Sequence, residues 1–166
     1  MIDLSHLPFA QQMQVREAHV RGLYISIACD YERLMDDLIV LCELDRASNV
    51  AEYKTKHLVH LEMGKKFRRS KTGLEKAFPN HYSDFLPHFG VIERLVKFRT
   101  ILAHGYSEYD DNGDPSYIIF EHHHKGKILR EKVVIDPFLN ELRHYQNSIL
   151  ELMGLTVLLR KEKGLL

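Results

Sequence analysis

The stretch Val20-Arg-Gly-Leu-Tyr-Ile-Ser-Ile-Ala-Cys-Asp-Tyr-Glu-Arg-Leu-Met-Asp-Asp-Leu-Ile-Val-Leu41 decides the fold class. Its apolar residues Val20, Leu23, Ile27, Tyr31, Leu34, Leu38 and Leu41 recur at steps of three and four, the period of an amphipathic helix. Arg16, Glu17, Glu32, Arg33, Asp36 and Asp37 fall on other faces. The pattern runs from about Gln14 to Leu44, which at 1.5 Å per residue makes a helix of ~45 Å. That exceeds what a domain of this size usually needs, so the helix is expected to kink or to pack in part on a second copy of the chain.

Outward from this helix, Asn49 and Glu52 have the spacing of a capping box, and a second helix is expected to run from there through Val59, Leu61 and Met63. It loses its pattern near Lys65, where Lys65, Lys66, Arg68, Arg69 and Lys71 surround Phe67 and Gly73 closes the run. Pro79, Asn80 and Pro87 then predict irregular chain or a short helical turn. A third helix is expected over His88–His104, with Val91, Leu95, Phe98 and Leu102 as its stripe and Gly105 as its C-cap. The period then changes. Asp110 to Pro115 reads as a turn, Tyr117–Phe120 and Ile128–Ile135 as two strands, and His124–Lys127 as the turn between them. Asp136-Pro137 marks the start of a last helix, in which Phe138, Leu142, Tyr145, Ile149, Leu152, Thr156 and Leu159 are spaced for a long antiparallel partner. The expected fold is mainly α: an antiparallel helical bundle with a β-hairpin inserted at about 116–136.

The chain of 166 residues fits one domain over its whole length, large enough to bury a core without staples. Lys plus Arg and Asp plus Glu balance at 23 each, so no global charge draws the protein to nucleic acid or to a membrane, although a local basic patch remains open. The absence of a run of about 18 apolar residues argues against a membrane span, and Met1–Pro8 lacks the basic and apolar segments of a secretion signal. A cytoplasmic location follows as an expectation. Cys29 and Cys42, about 20 Å apart along one helix, are expected to be reduced core thiols.

Chemistry concentrates in Phe98-Arg-Thr-Ile-Leu-Ala-His-Gly-Tyr106. An arginine can hold a phosphate through two hydrogen bonds, and a histidine can move a proton near neutral pH. Together they suffice for metal-free RNA cleavage, in which a base activates the ribose 2′-hydroxyl and a cation stabilises charge on the phosphate. On a straight helix Arg99 and His104 point about 140° apart, so they meet only if the helix stops at His104 or if two copies face each other. The bland alternative makes Arg99 an ion-pair partner and His104 a surface cap.

This stretch resembles the signature of HEPN-domain proteins: an Arg, four to six residues, a His and, in a toxin branch, a Tyr two positions later. The resemblance implies a helical bundle that dimerises so that two motifs share a cleft. It also implies metal-independent endoribonuclease activity, with no cofactor, often in toxin–antitoxin or antiphage defence. Arg99 would bind phosphate, His104 would transfer the proton, and Tyr106 would assist or receive a modification from a cognate antitoxin. The sequence departs from that signature at Thr100, where the family usually carries a strongly polar residue, and in its hairpin. The alternative reading is a non-catalytic helical module of the same fold that binds RNA or another protein.

Three other features complete the inventory. Lys65, Lys66, Arg68, Arg69 and Lys71 could track an RNA backbone around Phe67, or could simply be a solvated helix end. His122 and His124 would share one face of a strand, but no third metal ligand is evident and no metal is expected. Asp110-Asp111-Asn112-Gly113-Asp114 lacks the spacing and closing Glu of a calcium loop. There is no Gly-rich phosphate loop, no Gly-x-Ser-x-Gly elbow and no Cys-x-x-Cys.

Overall fold

A computed structural model describes residues 3–44, 49–109, 113–124 and 126–165, except for the side chain of His124. Among these, the chain is mainly helical, with a three-stranded antiparallel sheet before the last helix. The elements are α1 (Phe9–Glu43), α2 (Val50–His57), α3 (Met63–Ala77), a 3-10 turn at Pro79–His81, α4 (Tyr82–His104), β1 (Tyr106–Glu108), β2 (Tyr117–His124), β3 (Lys127–Val134) and α5 (Ile135–Glu162). No helix of the described residues is long and apolar enough to cross a membrane.

The second and third expected boundaries shift for identifiable reasons. Asn49 does cap α2, its side chain accepting from the Glu52 amide at 3.2 Å. That helix stops at His57, however, and α3 starts afresh at Met63. In one continuous helix Leu58 and Met63 would point about 140° apart. The break lets both bury, at 0% and 1% exposure. Gly73 is no stop: it lies inside α3, where an added Cβ would sit 3.0 Å from Cys42 Cβ and 3.3 Å from Cys42 Sγ. A glycine is needed there so that two helices can approach. α4 begins at Tyr82 and carries Pro87 in its second turn, where the missing amide costs one hydrogen bond near a helix start.

The sheet also exceeds the expected hairpin. β1 pairs antiparallel with β2 (Tyr106 opposite Glu121) and β2 with β3 (Glu121 opposite Arg130). Ile118, Phe120 and Val133 bury one face. Gly126 adopts a φ of +75° in the turn between β2 and β3, and Lys125 beside it lies outside the described residues. α5 starts one residue before the expected Asp136 cap; Asp136 stands in its first turn, where a carboxylate suits the positive helix end. Cys29 is exposed, which corrects its placement in the core, and Cys42 is half-buried, with burial pushing its thiol up to about 12.

The chain forms two compact units: Met1–Ile27 with Lys97–Tyr145, and Ala28–Val96 with Gln146–Leu166. The first holds the sheet and an aromatic core in which Phe138 lies 6.4 Å from Tyr24 and 6.0 Å from Phe98. The second packs Phe67 edge-on to Phe89 at 5.7 Å and fully buries Met35, Leu58 and Leu74.

Glycine substitutions test this assignment of roles. Gly154 lies within α5 with open space around its Cα, so Gly154→Ala should stabilise the protein by about 0.5–1 kcal/mol. Gly73→Ala should instead cost about 1–3 kcal/mol, because Cys42 must give way. Chemical denaturation of the two variants reads both, and equal effects would remove the close-approach role of Gly73.

Candidate functional site

The motif occupies the end of α4 and the first strand of the sheet, within the first unit. α4 is helical through both Arg99 and His104. Their side chains therefore leave the helix in directions about 140° apart within one chain. Arg99 is half-buried beside the phenol of Tyr24, which is 1% exposed. Burial pushes that phenol far above its ordinary pKa, and the Arg99 charge opposes the shift. His104 is the exposed last residue of the helix, its ring 6.5 Å from the ring of His122 on β2. Tyr106 follows on β1 and is 76% exposed.

Gly105 makes this sharp exit possible. It is buried, and its amide donates to the Ile101 carbonyl at 2.7 Å. An added Cβ would lie 2.3 Å from the Ile101 oxygen and 3.0 Å from the Glu121 oxygen. The expected C-cap glycine is thus required by crowding of backbone on backbone, not by a left-handed φ, which among the described glycines is confined to Gly113, Gly126 and Gly164.

A residue that sequence reasoning missed holds the exit in place. Arg21 of α1 donates to the carbonyls of Leu102 and Gly105, the latter at 2.6 Å. Its Nε donates to Glu17 at 2.6 Å, and its guanidinium lies 4.6 Å over the Phe120 ring. Glu17 in turn accepts from the hydroxyls of Ser107 at 2.6 Å and Tyr109 at 2.5 Å. Burial alone would raise the Glu17 carboxyl. The hydroxyls of Ser107 and Tyr109, with Arg21, outweigh it and hold the carboxyl below its ordinary range.

The basic run divides within the second unit. Lys66 is 3% exposed, and its Nζ lies 3.1 Å from Glu32 and 3.0 Å from Asp36, so it is an internal ion-pair partner and not a surface contact for RNA. Arg69 forks onto Glu43 at 2.7 and 2.5 Å and donates to Tyr53 at 2.6 Å. Lys71 lies over Phe89, 5.5 Å from the ring centre. Lys65, Arg68 and Arg69 line an open groove of about 730 Å³ with Thr72 and Lys76, the last unnoticed in the sequence. Arg68 and Lys76 make no ion pair among the described residues.

On the histidine run, His122 is half-buried facing His104, and His123 is exposed with Nε2 3.0 Å from Glu121. Among the described residues no three metal-ligating side chains converge. Asp110–Asn112 of the acidic turn lie outside the described residues.

Arg21→Met should cost about 2–4 kcal/mol, because it strands two carbonyls and a half-buried carboxylate. The Glu17 contribution is fully present above the ordinary carboxylate range and is lost as pH falls through its depressed value. Denaturation midpoints measured against pH should therefore fall less steeply at the acid end in Glu17→Gln than in the wild type, and parallel curves would remove Glu17 from the network. Compared with family models, with curated proteins and with solved structures, the chain matches none.

Proposed function

We propose that the protein is a HEPN-type, metal-independent endoribonuclease that acts as a homodimer, its helices forming an antiparallel bundle, in the setting of a toxin or antiphage-defence system. The observation that carries this reading is the exit from α4: a half-buried Arg99, an exposed terminal His104 and an exposed Tyr106 within one short, tightly held segment. Because Arg99 and His104 diverge on a continuous helix, the reading calls for a second copy, so that the arginine of one chain and the histidine of the other face one phosphate.

In this mechanism His104 takes the proton of the ribose 2′-hydroxyl. The 2′-oxygen attacks the adjacent phosphorus, and the bond to the 5′-oxygen breaks as that oxygen gains a proton. The products are a 2′,3′-cyclic phosphate and a 5′-hydroxyl. Arg99 stabilises the charge that grows on the phosphate oxygens. Tyr106, open to solvent, orients RNA or accepts a modification from a cognate antitoxin.

His104→Ala and Arg99→Ala should each lower cleavage of labelled single-stranded RNA at least about a hundredfold, and a chelator should leave the rate unchanged. His104→Ala should fold normally, since the side chain is exposed. A folded His104→Ala protein that cleaves at the wild-type rate would falsify this mechanism.

The second reading, a module that binds RNA without cutting it, is favoured by the groove carrying Arg68 and Lys76. Lys65→Ala with Arg68→Ala should weaken RNA affinity and flatten its dependence on salt, with no loss of stability. Lys66→Ala should do the reverse, costing about 3–5 kcal/mol by leaving Glu32 and Asp36 without their buried cation. Filter binding across a salt series, paired with denaturation, separates the two outcomes.

A further inference from the structure

We propose that the first unit binds a small amphipathic carboxylate in a cavity remote in sequence from the Arg99 motif. The cavity measures about 670 Å³ and is lined from α1 by Val15, Arg16 and His19, from the preceding segment by Leu4, and from α5 by Ile135, Leu139 and Arg143. That volume is in the range of small-ligand sites. Leu4, Val15, Ile135 and Leu139 form an apolar wall suited to a hydrocarbon or aromatic body.

The polar side of the cavity fits one negative charge. Arg16 Nε is buried and has no hydrogen-bond partner among the described residues. Because that Nε is shut off from water, the outer guanidinium nitrogens of Arg16 are the ones left to meet a ligand oxygen in the cavity. Arg143 spends one donor on Asn140 Oδ1 at 2.9 Å and keeps the rest of its fork. Asp136 also lines the cavity and cancels one of the two arginine charges, so these three side chains leave a single positive charge. α5 starts here with Ile135, so the positive end of a 28-residue helix adds to the same field. A planar carboxylate matches a guanidinium in geometry, and a monoanion on an apolar body matches both the net charge and the wall.

Octanoate is the probe, titrated into the full chain by calorimetry, with amide chemical shifts recorded in parallel. The expected result is saturable binding at one site, with shifts confined to the amides around Val15–His19 and Ile135–Arg143. Octan-1-ol, which lacks the charge, and acetate, which lacks the body, should each bind at least about tenfold more weakly. Arg16→Met should lose at least about tenfold in octanoate affinity, and Leu139→Glu should abolish binding while circular dichroism shows both proteins folded. Absence of saturable binding, equal affinity for octan-1-ol, or shifts that map elsewhere on the wild type would each overturn the site. The wild-type measurements decide the question even if a variant fails to fold. Because the site uses neither Arg99 nor His104, its failure leaves the ribonuclease reading untouched, and the reverse also holds.

Discussion

A helix leaves its last carbonyls without amide partners, and in each unit a cation distant in sequence takes up some of them. In the first unit Arg21 serves the end of α4. In the second, Lys163 Nζ donates to the Leu41 and Leu44 carbonyls, 2.6 Å from each, at the end of α1. The Arg21 fork has the wider consequence. It is clamped by Glu17, and Glu17 is clamped by Ser107 and Tyr109 on the far side of the turn. One chain of polar contacts therefore joins α1, the end of α4 and the start of the sheet, and it fixes the direction in which the chain leaves His104 for Tyr106.

Much of this was legible in the sequence where a period could be counted. The stripes of α1 and α4 and the near-heptad of α5 correspond to buried or half-buried positions, from Val20 to Leu41 and from Phe138 to Leu159. The candidate Arg99, His104 and Tyr106 were legible as a spacing. What failed to show was anything set by a partner far along the chain. Arg21 reads as one more solvent-facing charge until the Leu102 and Gly105 carbonyls are in place. β1 is three residues long, too short for alternation to register. Gly73 and Gly105 both read as helix ends, yet one lies mid-helix and both are demanded by neighbours the local sequence cannot name. Lys66 did leave a signal: it falls on the same helical face as Met63, Phe67, Ser70 and Leu74, all buried.

That signal changes how the balanced charge should be understood. A neutral total can arise from charges that cancel in space or from charges consumed inside the fold. Here the cationic run of α3 is partly consumed, with Lys66 held by Glu32 and Asp36 and Arg69 by Glu43. Burial pushes the Asp36 carboxyl up even against the pull of Lys66, which marks the pair as costly to assemble and costly to break singly. The outward field of α3 comes from Arg68, Lys76 and a Lys65 offset by Glu62 3.8 Å away, and is narrower than the count of basic residues suggests.

The interleaving of the two units bears on how the chain is made. Each unit joins an early segment to a late one: Met1–Ile27 waits for Lys97–Tyr145, and Ala28–Val96 waits for Gln146–Leu166. During synthesis from the N-terminus, α1 emerges first with its apolar stripe uncovered, and neither unit can close until α5 follows. The contacts that complete both units span large sequence separations, so loop-closure entropy is met late and all at once. Neither unit can gather its full set of contacts until the last helix is available.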